Sequence, residues 1–228
     1  MITFGAMNFL GDPLFNILGP VAADVDNPDS VKIIEEAKAQ YHLDKSLPER
    51  WARWAWDFVQ GDFGVQFSSS GQPPVSNLIK ERLPRTLELM AVAQIIAVAL
   101  AIPWSVLAAS RANKRTDKVS TVTAFAFVSI PSFAMAVILF YIFSIRLDVL
   151  PDVYNATDPF WGFTHDHRLI QLILPGFTLG LGAAAGYQRL LRTDLITTLQ
   201  EDFILMARSK GVSKRRVLYY HALRPSLF

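Results

Sequence analysis

Thr86-Leu-Glu-Leu-Met-Ala-Val-Ala-Gln-Ile-Ile-Ala-Val-Ala-Leu-Ala-Ile-Pro-Trp-Ser-Val-Leu-Ala-Ala-Ser110 is an apolar run whose single ionisable residue is Glu88. About 20 apolar helical residues cross the roughly 30 Å hydrocarbon core of a bilayer, so this run is long enough to span one. Glu88 is expected in the first turn of the helix, where the helix dipole favours a carboxylate and the side chain reaches the interface. Pro103 is expected to kink the helix. Two further blocks follow. Val119 to Ile145 carries no charge and is broken by Pro131. Leu169 to Leu191 contains Pro175 and the repeats Gly176-x-x-x-Gly180 and Gly182-x-x-x-Gly186, a spacing that lets membrane helices approach closely. The composition agrees with a membrane protein. Hydrophobic residues make up 51% of the 228 and charged residues 18%, against about 25% charged in soluble domains. The chain has no cysteine, which excludes disulfides, thiolate metal sites and Cys nucleophiles.

The loops between the blocks set the orientation. Arg111, Lys114, Arg115 and Lys118 share the first loop with one acid, Asp117. Arg189 to Arg224 holds eight basic residues against three acidic, whereas 146–168 holds two basic against four acidic. Lysine and arginine mark the cytoplasmic side. Residues 111–118 and the C-terminal segment are therefore expected in the cytoplasm, with 11–84 and 146–168 outside. The fold class read from this pattern is all-α. It is a polytopic transmembrane bundle with spans at 86–110, 119–145 and 169–191, an outer polar segment at 11–84 and a cytoplasmic segment at 194–228. The net charge of +2 is too small to suggest a nucleic-acid partner.

In the outer segment, Ser30 to Tyr41 reads as a helix with Ser30 as N-cap and Val31, Ile34, Ala37 and Lys38 spaced along it. Pro48 to Phe58 reads as another, with Trp51, Trp54 and Trp56 on a broad face that suits a membrane interface. Met1 to Leu10 is apolar but lacks a basic leader and a cleavage site, and is read as the end of a truncated first membrane helix. Ser226-Leu227-Phe228 reads as the start of a further apolar stretch, so truncation is expected at both ends.

Residues 194–228 carry the most specific pattern. Glu201 to Lys210 reads as a helix with acids at its start and bases at its end, as the dipole prefers. Gly211 is expected at positive φ, closing it. Ser213 then caps a second helix, Lys214 to Leu223. Four nearby bases on a helix-turn-helix outline would also fit DNA binding, but three membrane spans precede it. A basic amphipathic helix resting on anionic lipid is the plainer alternative.

The segment contains Asp202-Phe203, Ala207-Arg208-Ser209-Lys210-Gly211-Val212, Lys214-Arg215-Arg216-Val217 and His221-Ala222-Leu223-Arg224. In this it closely resembles the cytoplasmic coupling loop of binding-protein-dependent ABC transporter permeases, of the dipeptide/oligopeptide/nickel branch. Leu205 and Met206 replace the first two residues of the broader Glu-Ala-Ala signature, and Arg224 stands where that signature ends in proline. Gly11-Asp12-Pro13, Gly61-Asp62-Phe63-Gly64, Leu83-Pro84-Arg85-Thr86-Leu87-Glu88-Leu89, Ser129-Ile130-Pro131-Ser132-Phe133, Leu150-Pro151 and Leu174-Pro175 extend the resemblance over nearly the whole chain. The resemblance implies an ATP-driven importer of peptides or similar small solutes. Its expected partners are cytoplasmic ATPase subunits, a second permease subunit, an extracytoplasmic substrate-binding protein and the lipid bilayer of the cell membrane. Asp202, Ala207, Arg208, Lys210, Gly211, Arg215, His221 and Leu223 are implied to couple to the ATPase. Ala207 is expected to be small because it presses into that partner, and Arg208, Lys210 and Arg215 to pair with an acidic rim. Gly176, Gly180, Gly182 and Gly186 are expected to form a helix-packing face.

No phosphate-binding loop of the Gly-x-x-x-x-Gly-Lys-Ser/Thr type, no Gly-x-Ser-x-Gly and no His-Glu-x-x-His occurs in the sequence. No cofactor and no catalytic residue are expected, and ATP hydrolysis is assigned to a separate chain. His165-Asp166-His167 is read as a solvated loop, since two histidines do not close a metal site. An ion-coupled carrier or a membrane-embedded enzyme would need buried charge or catalytic groups at mid-membrane depth, beyond the available Gln94, Thr123, Ser129 and Ser132. The topology is directly testable with cysteines placed on either side of the membrane. In the complete protein, a cysteine at Ser69 is expected to react with an impermeant thiol reagent in intact cells, and one at Asn113 only after permeabilisation. The reverse pattern would invert the topology.

Overall fold

The computed structural model describes residues 5–6, 13–24, 26–66, 73–162, 164 and 167–227. Most of the apolar stretch 1–10, together with Gly11-Asp12, Ser68 to Gln72, His165-Asp166 and Phe228, lies outside the described residues. The chain divides into two compact units, Met1–Pro84 and Arg85–Phe228. Among the described residues the architecture is helical, with one isolated antiparallel bridge between Val65 and Pro74.

The first unit contains α1 (Pro13–Leu18), a 3-10 turn (Gly19–Ala23), α2 (Pro28–Gln40) and α3 (Leu47–Val59). Asn27, not Ser30, caps α2. Its side chain accepts the Asp29 N–H at 3.0 Å. Pro28 fits directly behind it, because a first-turn N–H has no helical partner to lose. Ser30 is buried inside the helix and donates to Asp24 Oδ2 at 3.0 Å. Leu14, Ile34 and Ala37 form a small core, flanked by Leu18, Ala22, Tyr41 and Leu43. Helix α3 buries no residue. Trp54 and Trp56 stand 48% and 67% exposed, so the tryptophans are not part of a core.

The second unit is built on α4 (Val75–Ser110) from Arg85 onward, α5 (Arg115–Ser129), α6 (Ser132–Phe140, continued by a π turn, Tyr141–Arg146) and α7 (Arg168–Thr198). Helices α4 and α7 are each long and apolar enough to cross a membrane. Helix α4 begins at Val75, ahead of the expected Thr86, because the polar run before Thr86 is helical without being hydrophobic. Glu88 therefore lies in the helix interior rather than the first turn. It is neutralised by Arg168, whose guanidinium lies 3.2 Å from the carboxylate. The block 119–145 is not one straight helix. It turns by 100° between α5 and α6, and the two count as a span only as a bent pair. Ile130 is extended at φ −78° and ψ 122°, the conformation a following proline imposes. With 15 residues, α5 is about 22 Å long and does not cross the hydrocarbon layer alone.

The four α7 glycines do not share one face. Gly176 and Gly180 lie against α4. A Cβ at Gly180 would come 2.9 Å from the Ala93 carbonyl oxygen, and one at Gly176 would come 2.8 Å from Val92 Cγ1. Around Gly182 and Gly186 nothing lies within 4 Å of an added Cβ. The physical reason is angular. Six residues along a helix turn the direction by about 240°, so the second repeat points away from the first. Gly180→Val is expected to destabilise the α4–α7 contact by about 1–3 kcal/mol, since backbone cannot be displaced cheaply. Gly182→Ala should be close to neutral. Thermal unfolding of the two variants in detergent distinguishes them.

Candidate functional site

The distinctive segment begins where α7 ends. Helix α8 (Asp202–Ser209) is followed by α9 (Lys214–Arg216), a π turn (Val217–Ala222) and α10 (Leu223–Ser226). Eight residues are too few to hold a helix in water, so α8 depends on what it packs against. That support is Ile204, fully buried in a cluster with Val106 and Ala109 of α4, Leu191 and Leu195 of α7, and Val217 and Ala222 of the π turn. The segment is thus bolted to the ends of both long helices.

Gly211 closes α8 at φ +79°. Its N–H donates to the Arg208 carbonyl at 3.0 Å, and the Val212 N–H to that of Ala207 at 3.2 Å. A Cβ at Gly211 would meet nothing within 4 Å, so the glycine is required by backbone conformation and not by space. Ser213 occupies the N-cap position of α9 but makes no capping bond with its side chain. The second helix runs past the expected Leu223 to Ser226, and is widened by the π turn.

The expected coupling residues fall into two groups. Asp202, Arg208, Lys210, Gly211 and Arg215 are exposed. Ala207 and Leu223 turn inward. Ala207 is 9% exposed and Leu223 packs against the Ile204 cluster. Ala207 is therefore already crowded by its own chain. His221 is half-buried, its ring edge-on to Tyr220 at 5.3 Å. Part of the surface that α8 presents outward is apolar: Phe203 and Met206, three residues apart and so on one face, are 44% and 55% exposed. Leu205, Tyr219 and Tyr220 add further exposed area. Phe203, Leu205 and Met206 stand in the sequence motif, but the amphipathic pattern names a buried stripe and assigns no role to the opposite, exposed one.

A polar lattice behind the segment was also unassigned. Asp117, the lone acid among four bases, is 2% exposed. Arg192 grips it with two hydrogen bonds, Nε to Oδ1 at 2.5 Å and Nη2 to Oδ2 at 2.6 Å. Asp117 Oδ2 also accepts the Asn113 N–H at 2.9 Å, which holds the loop residue Asn113 at φ +65°. One turn away, fully buried Gln188 donates from Nε2 to Ser120 Oγ at 3.0 Å, and its main-chain carbonyl accepts Ser105 Oγ at 3.2 Å. These contacts tie α4, α5 and α7 together immediately behind the Ile204 cluster. The isolated acid in a basic loop was the one available sign of them. Arg192→Ala strands a buried carboxylate, and is expected to cost about 3–5 kcal/mol of folding stability. The paired change Asp117→Asn with Arg192→Gln should recover much of it. Chemical denaturation of single and double variants measures the difference.

Residues 101–228 match the family described as "Binding-protein-dependent transport system inner membrane component". The oligopeptide transport system permease protein of Bacillus subtilis is 35% identical over 219 residues, which are 95% of this chain and 66% of the relative's length. The glutathione transport system permease protein of Escherichia coli K12 is 32% identical over 217 residues, 95% of this chain and 64% of the relative's. The chain therefore spans just under two thirds of the length of the curated relatives it matches.

Proposed function

The chain belongs to the binding-protein-dependent transport system inner membrane components, and from that premise we propose that it is the permease subunit of an ATP-driven importer of peptides or a related small solute. Membership of this family makes it a membrane protein and a transporter component rather than an enzyme. The names of the similar permeases support a peptide-like cargo. In this reading the segment 194–228 and the loop 111–118 lie in the cytoplasm, and residues 11–84 and 146–168 face outward. ATP is hydrolysed on a separate subunit. A binding protein delivers cargo from outside, and a second permease completes the pathway.

The observation that carries the reading is the seating of α8. It buries Ile204 between the ends of α4 and α7 while presenting Phe203 and Met206 to the surroundings. Such a helix is built to be gripped from outside and to move what lies behind it. The ATPase docks on the Phe203–Met206 face, in the manner of a helix lying in a groove, with Lys210 and Arg215 facing an acidic rim. A shift of α8 is passed through Ile204 to both long helices, because close-packed side chains cannot absorb it locally. Asp202 and the half-buried His221 take part in the same surface. Ala207 and Leu223 act from within, by holding its shape.

In the assembled transporter, Phe203→Ala and Met206→Ala are each expected to weaken ATPase association by roughly 10-fold, as for central anchors of an interface. Gly211→Val strains the backbone turn and should uncouple hydrolysis from uptake while leaving the protein inserted. Co-purification of the ATPase, with ATPase and uptake rates measured side by side, tests both. Normal association and coupling in all three variants would defeat the assignment.

A further inference from the structure

The bases at this end of the second unit divide into two sets. Arg111, Lys114, Arg208 and Lys214 line a single cavity of about 660 Å³. Lys210, Arg215 and Arg216 do not. The cavity lies between the turn that follows α4 and the segment that follows α7. Its remaining walls are largely apolar, with Leu199, Val212, Val217 and Leu218 among them, and among the described residues no carboxylate borders it. Among the described residues none of the four bases has an acidic partner within salt-bridge distance. Arg111 makes one long bond, to Thr116 Oγ1 at 3.4 Å.

Four like charges around one concavity repel each other and focus a positive field into it, so a bound anion relieves the arrangement. The walls narrow the class of anion. Inorganic phosphate would satisfy the bases and leave the leucines and valines against water. A molecule with a phosphate at one end and hydrocarbon at the other satisfies both. The position fits the same class. Ser110 and Leu199 in its lining stand at the ends of the two helices long enough to cross a membrane, the level at which headgroups would lie. We infer that this cavity binds the phosphate headgroup of an anionic phospholipid of the cytoplasmic leaflet. The inference rests on the orientation given under the proposed function, because that leaflet carries the anionic lipids. The lipid clamps the 111–114 turn to the 208–214 turn, and so ties the coupling segment to the membrane surface.

The test uses the full-length protein in its assembled transporter. It is reconstituted in nanodiscs of phosphatidylglycerol and phosphatidylcholine, and lipid retained after release into detergent is read by native mass spectrometry. Phosphatidylglycerol should be retained in preference. Arg111→Gln and Lys114→Gln, both at exposed positions, should each weaken retention about five-fold, the effect of one base at an anionic surface. Lys210→Gln and Arg215→Gln should leave retention unchanged. An excess of inorganic phosphate should not displace the lipid. Equal retention of the two lipids, insensitivity to Arg111 and Lys114, or displacement by inorganic phosphate would each overturn the inference. So would loss of ATPase association, without loss of lipid, in the Arg111 and Lys114 variants, since the cavity would then receive an acidic group of the ATPase. Retention is read without ATP. Its failure with ATP-driven uptake intact defeats this inference alone, whereas selective retention without any ATP-driven uptake defeats the importer reading.

Discussion

The burial of Ile204 is the constraint on which the second unit's distinctive surface depends. An eight-residue helix needs such an anchor, and Ile204 is its one fully buried side chain among the described residues. With Ile204 seated among Val106, Ala109, Leu191, Leu195, Val217 and Ala222, the rotation of α8 about its own axis is fixed. Phe203 and Met206 then have to point outward, and Ala207 inward. The apolar face is a consequence of this one anchorage. It persists because its exposure is outweighed by what the opposite stripe buries.

Apolar packing alone would not choose one arrangement of membrane helices, since lipid tails are as apolar as leucine. Choice comes from contacts that lipid cannot imitate. Gly180 admits the α4 backbone, and Gly176 the Val92 side chain, at distances a larger residue would not permit without a shift. Gln188, Ser105 and Ser120 supply directional bonds in the interior. The Asp117–Arg192 pair adds a bidentate lock where α5 begins, and Glu88 with Arg168 adds a second pair at the far end of the bundle. The two ion pairs fall near opposite ends of the apolar blocks, where bringing charges together does not require carrying them through hydrocarbon.

Features governed by neighbours in sequence were legible before any coordinates. Gly211 was expected at positive φ because a helix ended there, and it lies at +79°. The apolar blocks were legible from hydropathy, although their helical limits were not. The start of α4 at Val75 escaped because residues such as Lys80, Glu81 and Arg82 lower the hydropathy without opposing a helix. Whatever depends on residues distant in sequence stayed hidden. Nothing near Glu88 announces Arg168, eighty residues on. The 100° turn after Ile130 was foreshadowed by Pro131 in place but not in size. The burial of Ala207 within its own chain was not legible, because smallness in a sequence does not say which side is crowded. Ser30 lost the capping role to Asn27 because both are good caps, and only the position of Pro28 decides between them.

The wide turn Val217–Ala222 has a consequence for how this surface can change over time. A π turn holds one residue more than the α-helical turn it replaces. Losing that residue would restore regular winding and swing everything beyond it by about 100°. Length variation at this point would therefore be felt as rotation rather than as a gap. A relative one residue shorter here would keep the residues beyond the turn and present a different set of them, with Leu223 and Arg224 the first to be re-aimed. Alignments scored by residue identity alone would miss such a change, because what differs is the direction in which identical residues face.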